Sequence, residues 1–97
     1  MSAPERLDAG TVDQALAAAS SPWVREGDQI VLERRFPKFP DAIGFVDRVA
    51  VHAEAADHHP DIEVHYTAVR LVLWTHVSGG LTQRDLDLAA TIAGELG

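Results

Sequence analysis

No cysteine occurs in this chain, which excludes disulfides, thiolate nucleophiles and sulfur-bound metals and fits a reducing compartment. Cations are scarce as well: eight lysines and arginines stand against 15 acidic residues, for a net charge of −7. General binding to nucleic acid or to an anionic membrane needs a basic face that displaces counterions, so neither is an expected partner. Arg34, Arg35 and Lys38 form only a small basic knot, read as solvated surface. No apolar run nears the roughly 20 residues that span a bilayer, and Met1 to Arg6 lacks the basic-then-apolar order of a secretory leader. A cytoplasmic location is expected. Serine-nucleophile motifs and glycine-rich phosphate loops are missing, and Gly79-Gly80 reads as a plain turn.

What remains is ordinary for a globular chain: 97 residues, 46% apolar and 24% charged, read as one domain over residues 1–97 with a single core. Histidine is the compositional excess. Of five histidines, four lie between His52 and His65.

Periodicity divides the chain into seven elements. Thr11-Val12-Asp13-Gln14 reads as a capping box opening a short helix to about Ala19, with Val12, Ala15, Leu16 and Ala19 as its stripe. Trp23, a core residue in this reading, begins a strand, and Gly27-Asp28 makes a turn. Gln29 to Phe36 then alternates, with Ile30, Leu32 and Phe36 on one face and Val31, Glu33 and Arg35 on the other. A long helix starts at Pro40 or Asp41 and runs to Asp57, its stripe being Ile43, Val46, Val49, Ala50 and Ala53, widened by Phe45 and Ala56. After Pro60, Ile62, Val64 and Tyr66 alternate with Asp61, Glu63 and His65, which predicts a half-buried strand. Val69 to Val77 is apolar on both faces, as expected of a central strand or one at a subunit contact. Ser78-Gly79-Gly80 breaks it, and Thr82 caps a last helix whose inner face is Leu86, Ala89, Ala90, Ile92, Ala93 and Leu96. Helix, two strands, helix, two strands, helix predicts the α+β class, an antiparallel sheet with helices against it.

Titratable groups concentrate in Glu54-Ala55-Ala56-Asp57-His58-His59-Pro60, at a helix end that the proline hinders from continuing. Glu54 and His58, four apart, share a helical face and can pair. Histidine exchanges protons near neutrality, its unperturbed pKa being about 6.5. The attraction of cationic side chains to a helix C-terminus accounts for the same residues without chemistry. His76, amid Val72, Trp74 and Val77, fits a satisfied, partly buried strand residue, and Asp85 fits a helix-start carboxylate. His52 and His58 are six apart and face different ways on a helix, so no metal site is expected.

Glu54, three intervening residues, His58-His59-Pro60, five more to Tyr66, nine more to His76 and eight more to Asp85 form an ordered set. That set resembles the pterin-4a-carbinolamine dehydratase family. Trp23, Gly44-Phe45, Gly80-Leu81-Thr82 and Arg84-Asp85 support the resemblance, which covers about Leu7 to Leu96. It implies a four-stranded antiparallel sheet with three helices packed on one face, assembled as a homodimer or homotetramer. The implied activity is dehydration of a 4a-hydroxytetrahydropterin, a by-product of pterin-dependent aromatic amino acid hydroxylases, to quinonoid dihydropterin and water, with no cofactor. His58, His59 and His76 would be catalytic, with His59 and His76 as the proton-transfer pair and His58 positioning the substrate. Glu54, Pro60 and Asp85 would bind substrate or support the imidazoles. The implied partners are the pterin, further copies of the chain and a pterin-dependent hydroxylase. One departure is Ile62, where many relatives carry an aromatic residue after the proline; weaker stacking on the pterin is expected. The alternative reading is a non-catalytic module of the same fold that binds and stabilises a protein partner.

Overall fold

Asp8, not Thr11, opens the first helix. The computed structural model describes residues 3–96, so Met1 and Ser2 of the segment read for a leader, and Gly97 of the expected domain, lie outside the described residues. In α1 (Ala9–Ala18) the Asp8 carboxylate accepts the Thr11 N–H at 2.7 Å, and that bond holds the Asp8 carboxyl below its usual range. Thr11 therefore sits in the first turn, and the capping box expected there does not form. An aspartate three residues upstream offers a charged acceptor to the same amide.

Two antiparallel hairpins follow. Val24–Glu26 (β1) and Gln29–Arg35 (β2) are joined by a two-residue loop in which Gly27 takes a φ of 64°, a conformation that costs glycine nothing. Asp61–His65 (β3) and Ala68–Leu73 (β4) are joined through Tyr66, whose φ of 56° is uncommon for an aromatic residue. The sheet order is β1-β2-β4-β3. Pairing of Ile30 with Leu73 and Leu32 with Leu71 sets the register, so Ile30, Leu32, Val69, Leu71 and Leu73 share one face.

Three helices cover that face. Val12 from α1, Ala42, Phe45 and Val49 from α2 (Phe39–Ala56) and Leu88, Ala89 and Ile92 from α3 (Gln83–Ala93) join those sheet residues in one core. Trp23 belongs to it as expected, and its indole Nε1–H donates to the Ala89 carbonyl at 3.0 Å. This is the α+β arrangement of a four-stranded antiparallel sheet with three helices, in the expected order. The opposite face carries Arg70 among Glu63, Glu33 and Glu26, at 2.8, 3.3 and 3.7 Å.

Four local expectations change. On α2 the buried residues are Ala42, Phe45, Val49 and Ala53, while Ala50 and Ala56 are exposed; the stripe is rotated so that Phe45 lies at its centre. On α3, Leu88 is buried and Ala90 is exposed, because α3 turns its Leu88–Ile92 side to the sheet. All five residues of β3 are exposed: it is an edge strand that the helices do not cover, not a half-buried one. β4 is central, which explains its two apolar faces, but it ends at Leu73 rather than Val77.

Phe45→Ala should reduce unfolding free energy by about 3–5 kcal/mol, because a ring with no exposed surface would leave a cavity between α2 and the sheet. Urea denaturation measures it, and a loss under about 1 kcal/mol would mean that Phe45 is not the centre of the core.

Candidate active site

α2 stops because Asp57 turns left-handed. Its φ is 49° and ψ 44°, its N–H bonds to the Ala53 and Glu54 carbonyls, and the His58 N–H returns to the Ala53 carbonyl at 3.1 Å. Two of the orphan carbonyls of the last turn are thereby satisfied. Pro60, buried two residues on, favours an extended backbone at His59 and bars any return to helix.

This turn cancels the helical spacing that would have paired Glu54 with His58. Glu54 lies instead beside His59, Oε1 to Nε2 at a long 3.4 Å, and both side chains are mostly in water. His58 is buried and meets Asp85, Nε2 to Oδ1 at 2.5 Å. Asp85 is the third residue of α3 and completes a capping box with Thr82. Its Oδ2 accepts the Thr82 N–H at 2.9 Å and the Thr75 hydroxyl at 2.8 Å. One carboxylate thus caps the start of α3 with one oxygen and contacts His58 with the other.

His76 reaches the same place from β4, though not as a strand residue. Thr75 and Gly80 form a bridge that closes a 3-10 turn over His76–Ser78, with Gly79 at a φ of 69°. The imidazole stacks on Trp74 at 3.8 Å between ring centres. It is exposed, and its ring nitrogens make no hydrogen bond among the described residues.

His58, His59 and His76 line one open cleft of about 250 Å³ together with Asp57, Trp74, Thr75, Val77 and Arg84. Glu54, Pro60 and Asp85 stand outside it, Glu54 beside His59 and Asp85 behind His58. Ile62 does not line the cleft; its aromatic surface is Trp74. The sequence assigned no site role to Thr75 or to Arg84, and both line the cleft. The Arg84 Nη2 donates to the Asp57 carbonyl at 2.7 Å, tying the start of α3 to the end of α2. A second cavity, of about 370 Å³, lies between α2 and α3 and shares only His58 and Arg84 with the cleft. The cleft is the better candidate because it alone holds all three imidazoles.

A family model described as pterin 4 alpha carbinolamine dehydratase matches residues 5–94. The chain belongs to this family. A relative from Trichormus variabilis, named provisionally as a pterin-4-alpha-carbinolamine dehydratase, is 48% identical over 80 residues, 82% of this chain and 86% of its own. The crystal structure of a transcriptional coactivator/pterin dehydratase from Brucella melitensis superposes with a TM-score of 0.88 at 30% identity, covering 96% of this chain and all of that one. A pterin dehydratase-like protein identified as a RuBisCO assembly factor in the alpha-carboxysome shares the fold at a TM-score of 0.66 and 22% identity, over 77% of this chain and 89% of that one.

Asp85→Ala should destabilise the protein by roughly 3 kcal/mol or more, since it removes a helix cap and leaves the buried His58 nitrogen unpaired. Thermal or urea unfolding reads this out; a change of a few tenths of a kcal/mol would show that the network is not structural.

Proposed function

We propose that the chain acts as one cytoplasmic domain that dehydrates 4a-hydroxytetrahydropterins to quinonoid dihydropterins. The observation that supports this most is the meeting of three imidazoles from two separate elements on one cleft. In the reaction the C4a–O bond breaks and the hydroxyl leaves as water, taking a proton from an imidazolium. The N5–H proton passes to a neutral imidazole while the N5 electrons form the C4a–N5 double bond. One proton is given and one is taken, so the two imidazoles exchange charge in each turnover. Both must then re-equilibrate with water.

His59 and His76 suit that exchange. Each is exposed, and neither is locked by a buried partner. His58, held on Asp85, serves to bind and orient the substrate. The steps move only protons and water, so they call for no metal or redox cofactor.

Purified protein should speed the decay of chemically generated 4a-hydroxytetrahydropterin, and His59→Ala should lose at least about 100-fold of that acceleration. Decay no faster than in buffer would sink the catalytic reading and leave the partner-binding module.

The reading includes self-association. β3 is an uncapped edge on which Ile62 and Val64 are 38% and 36% exposed, next to Tyr66 at 76%. Such an edge, apolar and unpaired, is a template for a second chain. Sedimentation should find a dimer or tetramer, and Ile62→Lys with Val64→Lys should yield monomer; a monomeric wild type would refute this part.

A further inference from the structure

A line of hydrogen bonds runs behind the cleft with one direction. Thr75, Thr82 and Asp85 are no more than 2% exposed, and a hydroxyl has a single proton to donate. Thr75 gives its proton to Asp85 Oδ2 at 2.8 Å, so in its 2.8 Å contact with the Thr82 hydroxyl it accepts and Thr82 donates. The Thr82 oxygen in turn accepts the Arg84 backbone N–H at 3.2 Å. Every donor points toward Asp85. Its Oδ2 is taken up by Thr75 and by the Thr82 N–H, and Oδ1 is left to accept from His58 Nε2.

Donors on Oδ2 favour Asp85 as the carboxylate, and a carboxylate can only accept, so the acceptor at the end of this line selects a tautomer. A carboxylate accepting at Nε2 keeps the proton there and leaves the lone pair of neutral His58 on Nδ1. No buried side-chain nitrogen or oxygen among the described residues lacks a partner, and Nδ1 has none among them, so Nδ1 reaches solvent. His58 therefore offers an acceptor to a ligand N–H.

Thr75 also acts through its backbone. It directly precedes His76, and its N–H and C=O pair with Gly80 at 2.9 and 3.4 Å, closing the turn that carries that histidine. One residue thus holds one histidine by its hydroxyl and another by its main chain.

We infer that Thr75 is a positioning residue of the site, whose hydroxyl, acting through Asp85, keeps His58 as the Nε2–H tautomer with Nδ1 presented to an N–H group of the bound pterin. The identity of that ligand rests on the dehydratase reading; the tautomer does not.

Two measurements test this. Nitrogen-15 NMR of the histidine side chains should show neutral His58 protonated at Nε2 in the wild type and in Thr75→Ser, and a mixture of tautomers in Thr75→Val. A wild-type His58 protonated at Nδ1 overturns the inference, whether or not Thr75→Val folds. In the dehydration assay Thr75→Val should lower kcat roughly tenfold or more with KM within about threefold, and Thr75→Ser should restore it. A merely structural threonine would shift Tm and leave both the tautomer and kcat per folded molecule unchanged, which would also overturn it. Absence of dehydration by the wild type would count against the dehydratase reading alone, because the NMR result is independent of activity.

Discussion

The buried carboxylate of Asp85 is the joint on which this site depends. A carboxylate with no exposed surface is expensive to remove from water unless its oxygens are engaged. Here they receive the Thr82 amide, the Thr75 hydroxyl and the His58 ring nitrogen. Those three donors come from the start of α3, the segment just after β4 and the end of α2. Satisfying one buried charge therefore brings together the chain segments that carry His58 and His76. The stability of the α3 cap and the geometry of the cleft are consequences of the same bonds.

The His76 turn is held from its other side as well. The Ser78 hydroxyl donates to the Pro4 carbonyl at 2.5 Å, and the Leu7 N–H donates to the Leu81 carbonyl at 2.8 Å. Between these bonds the Arg6 side chain crosses Gly80 so closely that a Cβ there would lie 2.7 Å from its Nε. Glycine at this position admits the crossing. The N-terminal segment thus straps the turn that presents an exposed imidazole. A histidine on a 3-10 turn, outside the sheet ladder, gains its placement from these contacts and from Trp74 beneath it.

Much of this was legible in the sequence, and the failures share a cause. Period-two alternation identifies which residues share a face, so Ile30, Leu32 and Leu71 could be assigned to the core. Alternation is silent about which strands are neighbours, and so Ile62 and Val64 looked half-buried although β3 is an edge. The histidine cluster and Asp85 were visible as an ordered set. The pairing within it was not, because a left-handed Asp57 redirects His58 away from Glu54 and toward a residue 27 positions on. Aspartate enters that conformation more readily than most residues, yet nothing in its neighbours announces it. Arg84 was visible only beside Asp85 in that set, and its contact with the Asp57 carbonyl was not, because the contact exists only once α2 and α3 are packed.

The three imidazoles differ in burial, and the difference fits the roles we propose for them. A group that must hold one tautomer benefits from a dry setting, where a hydrogen bond is strong and an alternative is costly. His58 has that setting against Asp85. A group that must gain a proton in one turnover and lose it before the next needs water, because a buried imidazole could not be reset without opening the site. His59 and His76 are exposed and line the cleft. An arrangement with all three buried would bind a flat heterocycle more firmly but would strand the transferred proton. One with all three exposed would leave no fixed acceptor to set the substrate's orientation. The division into one locked and two solvated histidines would meet both demands of the proposed reaction, and it traces back to Asp57, whose reversed backbone sends the first of two adjacent histidines inward and leaves the second in solvent.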